Sequence, residues 1–310
     1  MIYTVTFNPA VDYVMRVNDY TVGKTNRAQA EEIRFGGKGI NVSLILRELG
    51  AESVALGFIA GFTGDALRQY LEDRGVHSEL IRLERGMTRI NVKLITECET
   101  EINGGGPDIP PQALEMLTEK LDTLREGDTL VLSGSVPRSL PFDMYEQIMR
   151  RLAGREIRIA VDAERELLRR ILPYRPFLIK PNRAELSDIV GRVLTNTEEI
   201  EAAARDLQAQ GARNVLVSLG RDGAMLVDEQ GEVHHSPTAG ADIPPVSTVG
   251  AGDSMVAGFL CGVARGYGHA LRLGIAAGSA TACSAGLGTR DQIESFLREL
   301  TEKSKQECVR

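Results

Sequence analysis

The sequence predicts an α/β protein whose central, mainly parallel sheet is covered by helices on both faces. Three observations predict this class: short apolar runs of strand length, amphipathic helical periods between them, and no Pro/Ser-rich linker to divide the chain. Short apolar runs are typical of parallel strands that are buried on both faces. They fall at residues 2–7, 53–59, 129–132, 157–161, 177–179 and 214–218.

Helical periods separate these runs. Val42, Ile45, Leu46 and Leu49 follow the i, i+3, i+4, i+7 spacing of one helix face, and Gly50 is placed to end that helix. A second stripe of the same kind comprises Leu114, Leu117, Leu121 and Leu124. Because parallel strands need long crossover connections, this alternation favours one parallel sheet.

Two stretches interrupt the alternation, at about residues 11–34 and 88–103. Both alternate apolar with polar residues, and neither has a convincing helical period. The pattern is typical of strands with one solvated face. We therefore predict a single domain over residues 1–310, with a small β-sheet inserted from these stretches as a lid or a dimerisation surface.

The charge balance excludes some classes of partner. The 310 residues include 36 Lys+Arg and 43 Asp+Glu, for a formal net charge of −7. A general nucleic-acid binder is usually basic, so we expect no nucleic-acid partner. The most membrane-like stretch, residues 255–264, is too short to span a bilayer, so we expect no membrane contact. A small anionic ligand is compatible with the charge, because its site needs only a few local cations.

The cysteines and the first ten residues predict a cytoplasmic protein. Cys98, Cys261, Cys283 and Cys308 show neither CxxC pairs nor zinc-like spacing with the histidines, so we expect reduced thiols. Residues 1–10 lack the basic start and apolar run of a signal peptide.

Glycine is over-represented, with 32 residues, about one in ten against a usual ~7%. Because there is no Gly-X-Y period, the excess indicates tight turns or places where the backbone approaches a ligand. The glycine clusters do not match the common nucleotide motifs. Gly23-Lys24-Thr25 ends like a P-loop, but Asn18 stands where its first glycine should be, and no GxGxxG follows a strand.

One glycine cluster, Gly250-Ala251-Gly252-Asp253, leads into an apolar helix predicted over residues 254–264. Its glycines would let successive N–H groups converge at the helix N-terminus, which attracts anions. A carboxylate there would repel phosphate unless it accepts a proton from a hydroxyl nucleophile. The alternative is that Asp253 only N-caps the helix.

A second cluster, Gly36-Gly37-Lys38-Gly39, precedes the helix predicted over residues 42–49. Small residues would admit a sugar to the backbone, Asn41 could bond sugar hydroxyls, and Lys38 could meet an anion. The alternative is a tight turn with a solvated lysine. Asp12 follows the first strand, where open α/β sheets place ligand contacts, although a single aspartate there is most often a turn residue.

Polar residues also follow the strand at 177–179. Asn182 and Glu185 come just after Lys180 and are three residues apart, so they share a helix face and could together hold a hydrated Mg²⁺. The alternative is a variant of the capping box, in which the same two side chains satisfy the start of a helix.

Taken together, these motifs resemble the ribokinase-like carbohydrate kinases, the phosphofructokinase B family. The resemblance covers nearly the whole chain, and the order and spacing of its motifs are highly specific. The motifs are Asn8-Pro9-Ala10-Val11-Asp12, Gly36-Gly37-Lys38-Gly39-Ile40-Asn41, Lys180-Pro181-Asn182 with Glu185, and Val249-Gly250-Ala251-Gly252-Asp253-Ser254. The resemblance implies a three-layer α/β/α fold with a small β-sheet lid, ATP and Mg²⁺ as cofactors, and a homodimer paired through the lid.

Within the family, the chain looks like the branch that converts fructose 1-phosphate and ATP to fructose 1,6-bisphosphate and ADP. Lys38 and residues 88–93 and 100–104 carry this closer resemblance. Ser247-Thr248 stands where many members have Asp-Thr, a departure that removes one carboxylate. The alternatives are a tagatose-6-phosphate kinase of the same family, a kinase for nucleosides or unphosphorylated sugars, and a non-catalytic regulator that binds sugar phosphates.

The resemblance also implies residue roles. Asp253 would accept the proton of the acceptor hydroxyl, and its pKa need not be strongly raised, because phosphoryl transfer depends mainly on positioning and electrostatics. The N–H groups around Gly250, Ala251 and Gly252 would stabilise the transferring group. The sugar phosphate would be bound by Asp12, Gly36, Gly37, Lys38, Asn41, Arg89, Ser133, Gly134 and Ser135. ATP would be bound by Lys180, Asn182, Glu185, Ser218, Gly220, Gly223 and Thr248, with Asn182 and Glu185 also organising Mg²⁺ through water.

Overall fold

Two β-sheets organise the computed structural model, which describes residues 1–163 and 165–307. The strands of the larger sheet are β1 (Ile2–Thr6), β4 (Ser53–Ala60), β5 (His77–Leu83), β8 (Thr129–Ser133), β9 (Arg158–Asp162), β10 (Leu178–Ile179), β11 (Asn214–Ser218), β12 (Ala224–Val227) and β13 (Val233–Ser236). The smaller sheet contains β2 (Ala10–Arg16), β3 (Ala30–Gly36), β6 (Arg89–Ile95) and β7 (Glu99–Asn103).

The larger sheet is mainly parallel. Its order is β13-β12-β11-β10-β9-β8-β1-β4-β5, and every pair from β11 to β5 is parallel. β12 and β13 add an antiparallel edge. Consequently the carboxyl ends of the central strands meet along one edge of the sheet, where open α/β folds bind ligands.

Helices cover both faces of this sheet. They are α1 (Lys38–Glu48), α2 (Gly61–Asp73), α3 (Pro111–Asp122), α4 (Met144–Leu152), α5 (Arg165–Ile171), α6 (Arg183–Val190), α7 (Thr197–Ala209), α8 (Ala251–Gly262), α9 (Tyr267–Ala282) and α10 (Arg290–Glu307). Within the described ranges, none of the helices combines the length and apolarity needed to cross a membrane.

Alternate residues of the buried strands belong to two different hydrophobic cores, one on each face of the larger sheet. In β8, Leu130 and Leu132 pack into the core that α3 to α7 share, whereas Val131 packs into the core formed with α1, α8, α9 and α10. α2 packs with α1 on the second of these faces. Successive side chains of a strand point to opposite faces, so a run of buried apolar residues requires a layer on each side. The predicted fold class, three layers with a mainly parallel sheet and a small second sheet, is confirmed.

The smaller sheet has the order β3-β2-β6-β7 and comes from the two stretches that interrupt the strand–helix alternation. β2 pairs in parallel with β6, and both β3 and β7 pair antiparallel to their neighbours. β7 is exposed along its whole length. That this sheet acts as a lid within a single domain stays a prediction.

Some predicted boundaries are wrong in ways that matter for the site. α1 begins at Lys38 rather than near residue 42, and α8 begins at Ala251 rather than at 254. In both cases the N-cap is a glycine with positive φ, 128° at Gly37 and 80° at Gly250, so the chain turns directly into the helix. Asp12 lies inside β2 of the smaller sheet, not in a turn after β1.

Candidate active site

A cavity of about 760 Å³ lies between the carboxyl edge of the larger sheet and the smaller sheet. We call it the cleft. Many of the residues predicted from the sequence line it: Asp12, Gly36, Gly37, Lys38, Asn41, Arg89, Lys180, Asn182, Glu185, Thr248, Gly250, Gly252 and Asp253. The topology therefore brings the four sequence motifs to one place.

The two glycine turns line the same cleft, and at each of them an added side chain would be crowded. A Cβ on Gly37 would lie 2.8 Å from Thr6 Cγ2 and 3.1 Å from Pro9 Cα. A Cβ on Gly250 would lie 2.8 Å from Leu287 Cδ2. Both turns open a helix toward the cleft, so both helix N-termini present unpaired N–H groups and positive dipole ends there.

Asp253 is buried in the first turn of α8. Asn41 Nδ2 donates a hydrogen bond of 2.8 Å to Asp253 Oδ2, so the carboxylate bonds across to α1 rather than back to its own helix. The N-cap position belongs to Gly250, and the alternative that Asp253 merely caps the helix is therefore wrong.

The environment of Asp253 favours a proton on the carboxylate. Burial, followed by the charge of Asp162, raises the pKa of Asp253 to about 7, although the Asn41 hydrogen bond and the charges of Lys38 and Lys180 act in the opposite direction. This raised pKa of Asp253 was not predicted from the sequence. A carboxyl group of this kind changes its protonation near neutral pH, where a general base is effective.

Asp162 is a site residue that the sequence reasoning missed. It ends β9, is buried, and lies between two lysines: Lys38 Nζ is 3.3 Å from Oδ2, and Lys180 Nζ is 3.6 Å from Oδ1. A signal was present, because Asp162 directly follows the apolar run at 157–161, and polar residues at the carboxyl ends of parallel strands are candidates for ligand contacts.

Lys38 and Arg89 both line the cleft but contact different groups. Burial of Lys38 disfavours its charged form, but the negative charges of Asp162 and Asp253 together favour that form more. The pKa of Lys38 is therefore raised. Arg89 belongs to the smaller sheet, where its Nε donates to Asn8 O at 3.2 Å. Burial lowers the pKa of Arg89, with the charge of Asp12 opposing the shift.

The smaller sheet contributes a buried amide, that of Asn91. Asn91 Nδ2 donates to Asp12 Oδ1 at 2.8 Å, and Asn91 Oδ1 accepts from Gly104 N at 3.2 Å. Asn91 was not among the predicted site residues. Its bonds orient the Asp12 carboxylate within the cleft and connect it to the glycine-rich segment that follows β7.

The start of α8 has both bonded and unbonded backbone N–H groups. Ser254 N donates to Gly250 O at 2.9 Å. Ala251 N, which was predicted to help stabilise the transferring group, donates to Thr248 O at 3.2 Å and is not available for that role. The N–H groups of Gly252 and Asp253 lie in the first turn, where a helix has no acceptor of its own for them. Lys180 adds a cation there, since its Nζ would be only 3.0 Å from a Cβ on Gly252.

Asn182 and Glu185 form a full capping box at the start of α6. Asn182 Oδ1 accepts from Glu185 N at 2.8 Å, and Glu185 Oε2 accepts from Asn182 N at 2.8 Å. The capping alternative is therefore correct. The cap does not use all the acceptor sites of these side chains, because an amide oxygen has two lone pairs and a carboxylate about four. The remaining oxygen sites line the cleft and fit a hydrated Mg²⁺. Their metal role stays a prediction.

Seven predicted residues are not among those that line the cleft: Ala251, Ser133, Gly134, Ser135, Ser218, Gly220 and Gly223. Ser133 is buried, and its Oγ has no hydrogen-bond partner in the described part of the chain. A Cβ on Gly134 would be 3.8 Å from Lys38 Cβ, so that loop borders the cleft. Ser218 bridges to Asn182, and the turn containing Gly220 and Gly223 follows it. These residues flank the cleft rather than form its walls.

Comparison with known proteins gives the same family as the motifs. The profile of the family described as "pfkB family carbohydrate kinase" matches residues 5–293. A 1-phosphofructokinase of Bacillus subtilis (strain 168) is 42% identical over 305 residues, which cover 97% of this chain and 98% of that protein. A D-tagatose-1-phosphate kinase of Bacillus licheniformis is 35% identical over 307 residues, which cover 97% and 98% of the two chains.

A solved structure has the same fold. Phosphofructokinase-2 from Escherichia coli, in complex with substrates and products, superposes with a TM-score of 0.90 at 29% identity and covers 97% of this chain and 99% of that one. The profile match, the identities and the superposition all extend over nearly the whole chain. The chain therefore belongs to the pfkB family of carbohydrate kinases.

Proposed function

We propose that this carbohydrate kinase transfers the γ-phosphoryl group of MgATP to the C6 hydroxyl of fructose 1-phosphate, which gives fructose 1,6-bisphosphate and ADP. One observation carries the chemistry: a buried carboxylate, Asp253, stands at a helix N-terminus in a cleft lined with cations. The similarity to a 1-phosphofructokinase supports the choice of acceptor.

The acceptor would lie between α1 and the smaller sheet. Asp12 and Asn41 would bond its hydroxyls, and the bare backbone of Gly36 and Gly37 would allow close approach. Lys38 and Arg89 would bind the phosphate that the substrate already carries, with Ser133, Gly134 and Ser135 flanking it. Two cations are enough for this in an acidic protein, because field strength inside a cleft depends on local charge.

The reaction would be a direct displacement. The C6 hydroxyl would give its proton to Asp253 as its oxygen forms a bond to the γ-phosphorus, and the bond from that phosphorus to the bridging oxygen would break to release ADP. The N–H groups of Gly252 and Asp253, with Lys180, would stabilise charge on the transferring oxygens. The turn from Gly250 to Asp253 thus supplies both a base and an anion site.

The nucleotide would occupy the opposite side of the cleft. Asn182 and Glu185 would hold Mg²⁺ through water, Lys180 and Thr248 would lie beside the phosphates, and Ser218, Gly220 and Gly223 would border the nucleotide. When bound, Mg²⁺ neutralises phosphate charge. We propose the cytoplasm as the location of the protein, because ATP is supplied there.

The smaller sheet would close over the sugar and exclude water, which limits wasteful ATP hydrolysis. We also propose that it pairs two subunits into a homodimer. Its outer strands expose apolar side chains, Ile33 at 58% and Ile102 at 63%, and β7 leaves an open sheet edge. Apolar side chains at an open edge are typical of a surface that pairs with another chain.

Two other functions have weaker support. A tagatose phosphate would present the same functional groups with one hydroxyl configuration changed, and one relative is named for D-tagatose 1-phosphate. Tagatose 6-phosphate, the alternative from sequence, would place the phosphate at the other end of the sugar. A non-catalytic regulator would not need the buried base at Asp253.

The first prediction concerns the acceptor. Coupled ADP-release assays should show the highest kcat/KM with fructose 1-phosphate, lower values with tagatose 1-phosphate, tagatose 6-phosphate and fructose 6-phosphate, and the lowest with free fructose.

Arg89→Ala and Lys38→Ala should each lower kcat/KM for fructose 1-phosphate by roughly 30- to 1000-fold, since losing a buried charged contact costs about 2–4 kcal/mol. Arg68→Ala, an exposed arginine on α2, is the matched control and should change little.

Equal or higher activity with a tagatose phosphate would overturn the acceptor while leaving the family intact. If Lys38→Ala lowers kcat for every acceptor, including free fructose, then Lys38 serves the transferring phosphoryl rather than the phosphate on the substrate. No ADP release with any sugar or sugar phosphate would contradict the proposed function itself.

The second prediction concerns pH. Because the pKa of Asp253 is raised to about 7, protonation removes the base as the pH falls through neutrality. We expect kcat/KM, which reports the free enzyme, to be constant above about pH 8, to be halved near pH 7, and to decrease about tenfold per pH unit below about pH 6.

Asp162→Asn tests whether the decrease in kcat/KM at low pH, the acidic limb of the pH profile, reports the protonation of Asp253. Removing the neighbouring negative charge makes Asp253 easier to ionise, so the limb should move to lower pH. The substrate's own phosphate ionises near pH 6 and would not respond to this variant. A limb at the same pH in both proteins would therefore assign it to the substrate and contradict the role of Asp253.

The third prediction concerns assembly. Sedimentation equilibrium should give a dimer for the unmodified chain and a monomer for Ile102→Lys, which places a charge on the exposed face of the smaller sheet. Val193→Lys changes an even more exposed valine outside that sheet and should stay dimeric. A monomeric unmodified protein, or an Ile102→Lys variant that stays dimeric, would contradict pairing through this sheet.

A further inference from the structure

The start of α1 holds the start of α8 through one hydrogen bond. Asn41, in the first turn of α1, donates from Nδ2 to Asp253 Oδ2 at 2.8 Å, although the two residues are 212 positions apart in the chain. We propose that Asn41 is a positioning residue: its amide fixes one oxygen of the base so that the other faces the acceptor hydroxyl. This inference rests on the proposed function and deepens it.

The amide of Asn41 lies beside both glycine turns. A Cβ on Gly36 would lie 3.4 Å from Asn41 Oδ1, and a Cβ on Gly250 would lie 3.5 Å from Asn41 Nδ2. The side chain therefore fits between the backbone of the first turn and the backbone of the second. A side chain on either glycine would therefore contact the amide that bonds Asp253, so the bare backbone of both turns leaves room for this hydrogen bond.

The remaining contacts of this turn hold its backbone rather than the carboxylate. Ser254 Oγ donates to Gly250 O at 2.9 Å and lies 2.7 Å from Thr281 Oγ1, which accepts from Gly288 N. In the described part of the chain, the side-chain hydrogen bond to the Asp253 carboxylate comes from Asn41. Asn41 thus fixes the direction of the carboxylate, whereas Ser254 and Thr281 fix its position.

The amide also acts on the protonation of Asp253. Four charged groups face this region: Asp162 from β9, Lys38 from α1, Lys180 after β10 and, through Lys38, Glu185 of α6. Asn41 differs from the lysines because they also face Asp162, whereas its N–H donor points at Asp253 alone. Without this donor the protonated acid is favoured, and a protonated acid cannot accept the hydroxyl proton.

Two roles for Asn41 make different kinetic predictions. If it only bonded sugar hydroxyls, its loss would raise KM for the sugar phosphate and leave kcat and the pH profile unchanged. If it positions Asp253, its loss lowers kcat and moves the acidic limb of kcat/KM to higher pH. Asn91 is the matched control, because it is also an amide bound to a cleft carboxylate, Asp12, at the same distance of 2.8 Å.

The test compares Asn41→Ala and Asn41→Asp with Asn91→Ala. We expect kcat at pH 7 to fall by on the order of 10- to 100-fold in both Asn41 variants, since a hydrogen bond to a charged group is being lost. The acidic limb should move up by about one pH unit, and further in Asn41→Asp, which adds a like charge in nearly the same volume. Asn91→Ala should raise KM without moving the limb.

A second readout does not depend on catalysis. Carbon-13 NMR titration of the Asp253 carboxyl in the substrate-free protein should give a higher pKa in Asn41→Asp than in the unmodified chain. Unchanged kcat and an unchanged Asp253 titration, with only KM raised, would overturn the positioning role. If the unmodified protein phosphorylates no sugar, the proposed function fails, and the titration still decides whether Asn41 controls this carboxylate.

Discussion

The site depends on an electrostatic conflict between two buried carboxylates, Asp162 and Asp253. A buried charge costs several kcal/mol unless it is paired or hydrogen-bonded, and two like charges increase that cost. Lys38 and Lys180 pair with Asp162, and the Asn41 amide bonds Asp253. The compensation is incomplete, so the pKa of Asp253 stays raised, and the same imbalance leaves a base that titrates near neutral pH.

The fold supplies this arrangement through its parallel strands and its helix starts. β9 ends at Asp162, Lys180 follows β10, and α1 and α8 both begin at the same edge after glycines with positive φ. An acidic chain with a net charge of −7 can thus present positive potential to two anionic substrates. The field comes from cations that line the cleft, Lys38, Lys180 and Arg89 among them, and from unpaired N–H groups.

Much of the fold was predictable because buried strands and amphipathic helices have periods that the sequence displays locally. The cleft was only partly predictable. The glycine turns and Asp253 were visible as motifs. The helix starts at Lys38 and Ala251 were not, because they depend on positive φ angles, which glycine can adopt but does not always adopt. The Asn41–Asp253 bond joins residues 212 positions apart, and local patterns carry no information about such a pair. Asp162 had a local signal, its place directly after an apolar run, but its pairing with Lys38 and Lys180 is a long-range feature that the run does not display. The Asn182–Glu185 spacing suits both a cap and a metal site, and the structure contains the cap.

The central claim is that Asp253 accepts the proton while other groups bind the sugar, and Asp253→Asn tests it most directly. The variant keeps the size of the side chain and its place in the first turn of α8. Turnover of fructose 1-phosphate and ATP should fall by at least about 100-fold, the contribution expected of a general base, while calorimetry should show sugar phosphate affinity within a few-fold of the unmodified protein. Near-normal turnover in Asp253→Asn would contradict the account.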